Sequence, residues 1–191
     1  RTADLFHKEY LKEHLKSILD FKNLTIENVY GKQGRAYDEM LEYLETYGEE
    51  FRDYICDTGV YLRRANAEGK RIMFEAQLGA LRDIDFGIYP FTSSSNTISA
   101  YAPIGAGIPG IKVDTTVGIM KAYSTCVGAG PFTVEMEGDE AEALRKAGGE
   151  YGAATGRPRR VGAVDVVASR YGVCVQGSHK IALTKLDVLS Y

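Results

Sequence analysis

The sequence has no tryptophan, only three histidines, three cysteines and five prolines in 191 residues, and no long hydrophobic run. Each shortage excludes something. Purely apolar stretches stay far below the roughly 18 residues of a membrane-spanning helix, so no membrane partner is expected. Cys56, Cys126 and Cys174 are odd in number, lie far apart and form no C-x-x-C pair. That argues for reduced, buried thiols in a cytosolic protein rather than a disulfide framework, and a lone thiol in apolar company is more often packed than reactive. His7, His14 and His179 show no H-E-x-x-H spacing, and the approach of Cys174 to His179 in sequence has no second pair to complete a metal site. Charge of one sign is lacking too. The 23 Lys plus Arg against 26 Asp plus Glu leave a net charge of -3, which disfavours a nucleic-acid partner while allowing a local basic cluster that holds an anion. No signal-peptide pattern opens the chain, and Arg1-Thr2-Ala3-Asp4 reads as a cut from something longer.

What remains is a globular composition, 45% hydrophobic with 21 glycines and 13 tyrosines. A chain of this length can bury about 70% of its unfolded surface without disulfide or metal support. Residues 1–70 read as a helical lobe. Leu11, Leu15, Ile18 and Leu19 recur at helical spacing, as do Tyr37, Met40, Leu41, Leu44, Tyr47, Phe51 and Tyr54, with breaks expected at Lys22-Asn23 and at Gly31 to Gly34. A third helix is expected from about Val60 to Glu68, capped by Gly69.

Residues 71–191 read as an α/β core segment. Arg71 to Glu75 suits a buried strand, Leu78 to Thr97 a long polar loop, and Thr116 to Tyr123 and Ile181 to Thr184 two further strands. Helices are expected over Asp139 to Ala147 and Ala163 to Val175. Strands alternating with helices give the α/β class, with a layered sheet. Two strings mislead. Gly105-Ala106-Gly107-Ile108-Pro109-Gly110 matches G-x-G-x-x-G but lacks the strand before it and the helix after it that place a pyrophosphate on a helix N-terminus. Asp85-Phe86-Gly87 imitates a kinase triplet without the kinase's other motifs.

Three stretches carry chemistry. In Gly152-Ala153-Ala154-Thr155-Gly156-Arg157-Pro158-Arg159-Arg160, small residues let a ligand approach the backbone and three arginines offer forks for carboxylates or phosphates; the bland alternative is an exposed basic turn. In Asp83 to Asn96, hydroxyls around Ser93 sit beside two carboxylates, suited either to a phosphate or to satisfying their own backbone. In Leu183-Thr184-Lys185-Leu186-Asp187, at a strand end, the Asp187 carboxylate can accept a guanine N1–H and exocyclic amine while the Lys185 stem covers the base.

In order and wording these stretches resemble adenylosuccinate synthetase, which uses GTP to join L-aspartate to IMP. The resemblance runs through Lys121-Ala122-Tyr123-Ser124-Thr125, Val127-Gly128-Ala129-Gly130-Pro131-Phe132, the Gly-Arg-Pro-Arg-Arg loop and Thr184 to Leu189, and more faintly back to Asp4-Leu5-Phe6. It implies a fold related to the P-loop nucleotide-binding proteins, and a reaction in which IMP is phosphorylated on its 6-oxygen before aspartate displaces the phosphate. It also implies Mg2+, GTP as co-substrate, a homodimer and a cytoplasmic place in AMP biosynthesis. Carried over by position, Ala153, Ala154, Thr155, Gly156, Arg157, Pro158 and Arg159 match the aspartate-binding loop. Arg157 falls where the family contacts IMP and Arg159 where it contacts GTP. Lys185, Leu186 and Asp187 match the guanine segment, Val127 an IMP ribose contact, and Ser93 a threonine that binds the IMP phosphate.

The chain also departs from the pattern. Glu75-Ala76-Gln77-Leu78-Gly79 stands where most members read E-G-A-Q-G, so gapless alignment puts Leu78 in the glutamine's place; Gln77, presented by a local backbone adjustment, is the expected IMP contact. Ala154 stands for a second threonine and Cys126 for an arginine. The family's phosphate loop, catalytic aspartate and histidine, magnesium ligand and interface arginine would all precede Arg1, so no catalytic residue and no metal ligand is expected here. More of the guanine pocket would follow Tyr191. The 191 residues are expected to be inactive alone. The alternatives are a non-catalytic nucleotide-binding or interaction module that has lost the phosphate loop, and an unrelated α/β domain.

Overall fold

Leu11, Leu15 and Leu19, four residues apart, are the buried stripe of α1 (Lys8–Asn28) in a computed structural model that describes residues 1–76 and 78–190. By packing, the chain divides into two compact units, Arg1–Arg64 and Ala65–Tyr191. In the first unit α1 packs against α2 (Tyr37–Glu50), where Gly48 is buried against Leu5 and the Tyr37 hydroxyl donates to the Lys12 carbonyl. The break expected at Lys22-Asn23 is absent. Asn23 stays helical because its side chain clasps the next connection, accepting from the Arg35 N–H at 2.8 Å and donating to the Arg35 carbonyl at 2.9 Å. Ile18 is 42% exposed and lies outside the buried stripe. Beyond a short 3₁₀ turn at Arg52–Tyr54, α3 (Thr58–Ala67) starts on the Asp57 carboxylate, which accepts the Val60 N–H, and Gly69 follows with φ +74°.

In the second unit the expected strand Arg71 to Glu75 has no ladder partner among the described residues, and Met73 is 88% exposed. An apolar run makes a strand only where another strand lies beside it. The Gly105–Gly110 string holds only the end of a four-residue helix, α4 (Ala102–Gly105), with no helix directly after Gly110. A parallel pair follows: β1 (Val117–Lys121) lies beside β4 (Lys180–Thr184), Val117 facing Lys180 and Lys121 facing Thr184. An antiparallel pair, β2 (Ser124–Cys126) with β3 (Arg160–Gly162), is not legible in the sequence. Helix α5 (Gly138–Gly148) ends on Gly149, whose left-handed φ of +65° a side chain would strain. Helix α6 (Val166–Gln176) starts on Asp165, which accepts the Ala168 N–H.

This is the α/β class, with helices between short strands and the sheet reduced to two two-stranded ladders among the described residues. Tyr123, Ala141, Leu144, Val161 and Val188 form its core, with Met136 against them. The thiols depart from expectation: Cys56 and Cys174 are exposed and Cys126 half-buried, all three free. Among the described residues no helix is long and apolar enough to cross a membrane.

Candidate functional site

The 78–97 connection is long in sequence but internally bonded. Asp83, with no exposed surface, is its pivot: its carboxylate accepts N–H groups from Asp85, Phe86 and Thr97, the last at 2.5 Å. Burial works to raise the Asp83 carboxyl, but those backbone donors outweigh it and hold it below its ordinary value. Around this pivot Ile84 donates to Ser95, Ile88 to Leu81 and Ser93 to Arg82, all between backbone atoms. The Ser93 hydroxyl both donates to the Ser95 carbonyl and accepts the Ser95 N–H, so it is engaged with its own turn. Gln77 lies outside the described residues; Leu78 takes a left-handed backbone with φ +78° and is half exposed.

The basic loop is a turn closed at its base. Gly152 N–H donates to the Arg157 carbonyl and Gly156 N–H to the Gly152 carbonyl, both at 2.8 Å, while Tyr151 and Pro158 form an antiparallel bridge. Ala153, Ala154, Thr155, Gly156, Arg157 and Pro158 are all exposed on it. Its three arginines divide by partner. Arg159 donates to the buried Glu150 carboxylate at 2.9 Å, while its Nε is buried without a partner among the described residues. Arg160 makes a two-pronged pair with Glu135 and also donates to the carbonyls of Gly128 and Gly130. Arg157 has no side-chain acceptor among the described residues, so its fork is available to a ligand.

Glu150 joins this loop to the strands. Its carboxylate, 2% exposed as a residue, accepts from Lys121 Nζ at 2.9 Å, from the Tyr123 hydroxyl at 2.5 Å and from Arg159. Burial again pushes the carboxyl up, and the hydrogen bonds from Tyr123 and Lys121, with the Lys121 charge and the Arg159 hydrogen bond, bring it below its ordinary value. The Tyr123 phenol moves the other way, raised by burial and by the neighbouring carboxylate. Beside this hub Lys185, with left-handed φ +62°, follows β4 and donates to the Gly148 carbonyl at 3.3 Å. The basic loop and the Lys185-Leu186-Asp187 turn therefore both fasten to the end of α5. Leu186 is 60% exposed, and the Asp187 carboxylate is exposed with no donor among the described residues.

A sequence model of the adenylosuccinate synthetase family matches residues 1–191. The chain belongs to that family. It is 43% identical over 190 residues to the adenylosuccinate synthetase of Caldanaerobacter subterraneus subsp. tengcongensis, and 44% identical to that of Listeria welshimeri; in each case all of this chain matches 44% of the relative. It thus spans less than half the length of the curated relatives it matches. Among solved structures, the fully ligated adenylosuccinate synthetase of Plasmodium falciparum superposes with a TM-score of 0.85 at 34% identity, covering 95% of this chain and 42% of that one.

In this member of the family the residues that hold the loops carry no sequence motif. Glu150 stands in Gly148-Gly149-Glu150-Tyr151-Gly152, where a lone carboxylate between glycines carries no motif. Arg82 carries none either, although its carbonyl accepts from Ser93 N–H and its guanidinium donates to the Val127 carbonyl. Among the described residues no group of three or more His, Cys, Asp or Glu is placed to hold a metal ion.

Proposed function

We propose that the complete protein is an adenylosuccinate synthetase: it ligates L-aspartate to IMP at the expense of GTP, in the cytoplasm, as a homodimeric enzyme of AMP biosynthesis. The γ-phosphoryl of GTP passes to the 6-oxygen of IMP. The aspartate amino group then attacks C6, and the carbon–oxygen bond breaks with release of phosphate, leaving adenylosuccinate. Magnesium would neutralise charge on the GTP phosphates, held by groups outside these residues. This chain supplies positioning rather than proton transfer. The helical lobe of residues 1–70 is scaffold and residues 71–191 carry the contacts; alone, the 191 residues are inactive.

The observation that supports this reading best is the division of labour in the basic loop. Arg159 and Arg160 are tied to protein carboxylates, whereas Arg157 projects from a turn fixed at both ends with no acceptor of its own among the described residues. A guanidinium fork without a partner, carried on a bonded turn, suits a carboxylate-bearing substrate. In the proposed site Arg157 meets aspartate and IMP, and Arg159 extends from Glu150 toward GTP. Ala153, Ala154, Thr155, Gly156 and Pro158 give aspartate a backbone surface that no large side chain obstructs. Ser93 and Val127 meet the phosphate and ribose of IMP, with Gln77 at the purine. Lys185, Leu186 and Asp187 enclose guanine, for which the Asp187 carboxylate offers both acceptors that adenine would leave unmatched.

The guanine assignment has its own test. Asp187→Ala in the complete protein removes an acceptor from two donors, a loss of about 1–3 kcal/mol, so the KM for GTP should rise by about tenfold or more with those for IMP and aspartate unchanged. An unchanged GTP requirement removes Asp187 from the guanine site.

A further inference from the structure

Arg82 belongs to no motif in the sequence, yet it touches both loops to which the IMP phosphate and ribose are assigned. Its carbonyl accepts the Ser93 N–H at 2.8 Å. Its guanidinium donates through one nitrogen to the Phe91 carbonyl, and through the other to the Cys126 sulfur at 2.8 Å and the Val127 carbonyl at 3.0 Å. The same two loops meet sterically at Gly130, where a Cβ would lie 2.8 Å from Cγ of the Phe91 ring, so no side chain fits between them. Arg160 donates to the carbonyls of Gly128 and Gly130, and its Nη1 also lies 4.0 Å from the Cys126 sulfur. The 127–130 loop is thus bonded by two guanidinium groups that are far apart in sequence.

An arginine fork is planar and rigid, so acceptors that share it are held at a fixed separation. Two of the acceptors here are backbone carbonyls, which cannot rotate away as a side chain can. The phosphate and ribose of a nucleotide are covalently joined, and two protein contacts grip both only if their spacing is set beforehand. We propose that Arg82 is a positioning residue for IMP: it locks the Ser93 turn to Val127 and so sets the distance between the phosphate and ribose contacts. Its guanidinium donates to three protein acceptors, and the role proposed for it runs through those residues. The inference rests on the synthetase reading and adds to it a residue whose effect should fall on one substrate of the three.

The test is steady-state kinetics of the complete protein with each substrate varied in turn, for wild type, Arg82→Leu and Arg82→Lys, together with calorimetric IMP binding. Arg82→Leu should raise the KM and Kd for IMP by about tenfold while the KM values for GTP and aspartate stay within about twofold. Arg82→Lys, which keeps the charge but not the fork, should fall between. If Arg82→Leu does not fold, an Arg82→Lys variant with wild-type IMP affinity overturns the proposal. Equal rises in all three KM values, or lower turnover with unchanged IMP affinity, also overturn it, because general loosening would do that. If the wild type makes no adenylosuccinate, the synthetase reading falls, and the IMP binding series still decides the role of Arg82.

Discussion

Arg157→Leu in the complete protein is expected to lower kcat/KM for aspartate and IMP by about a hundredfold or more, with little change in stability. The two halves of that expectation have separate causes. The loop backbone is held without the guanidinium: Gly152 and Gly156 close the turn, Pro158 restricts the residue before it, and Tyr151 bridges to Pro158. An exposed side chain that bonds nothing among the described residues should change folding by less than about 0.5 kcal/mol when replaced. The substrate side is different, since a fork pairing with a carboxylate in a closed site is worth about 2–5 kcal/mol when one partner is truncated. Arg157→Lys should recover only part of the loss, because a point charge does not reproduce two parallel hydrogen bonds. Kinetics within about twofold of wild type in the leucine variant would show that the fork has no substrate.

Glu150→Gln should act in the opposite manner, on the protein first. It keeps the shape of the side chain but leaves Lys121 and Arg159 without a counter-charge in a place where the residue is 2% exposed. Breaking a buried pair by removing one partner costs about 3–5 kcal/mol. Since Lys121 and Arg159 remain 27% and 36% exposed, about 2–4 kcal/mol is the appropriate expectation here. Denaturant unfolding of variant and wild type at neutral pH measures it. The pH dependence has a definite sign. The folded Glu150 carboxyl lies below its ordinary value of 4.5, so its contribution is fully present above that value and is lost as pH falls through the folded value. The gap between wild type and Glu150→Gln should therefore narrow below about pH 4. A gap independent of pH, or none at neutral pH, would mean that the carboxylate does not hold the hub together. Because Arg159 is held by the same carboxylate, the folded variant should also use GTP and aspartate less well.

These two residues differ in how far the sequence alone reveals them. Arg157 stands in a nine-residue stretch whose glycines, hydroxyl and arginines describe a ligand turn locally, and the folded chain makes a turn there. The same holds for the leucine stripe of α1 and for the β1 and β4 segments, whose periodicity or apolar run is complete within a few residues. Glu150 is invisible for the converse reason: its partners Tyr123 and Lys121 lie 27 and 29 residues away, and nothing in a single sequence says that the chain will bring them together. The β2–β3 ladder pairs three-residue strands across a whole helix. Arg71 to Glu75 shows the reverse error, a strand-like run without a neighbouring strand to pair with among the described residues. Asn23 shows another: a residue that commonly interrupts a helix instead binds the connection that follows it.

In the proposed function this chain carries the aspartate, IMP and guanine contacts of a synthetase whose remaining site lies elsewhere in the complete protein. Phosphate release measured with GTP, IMP and L-aspartate, singly and together, on both the complete protein and these 191 residues tests it most directly. Release is expected from the complete protein only when all three are present, with adenylosuccinate as the product, and none from the 191 residues. Adenylosuccinate formed by the 191 residues alone, or a folded complete protein that binds nucleotide and releases nothing, would contradict it.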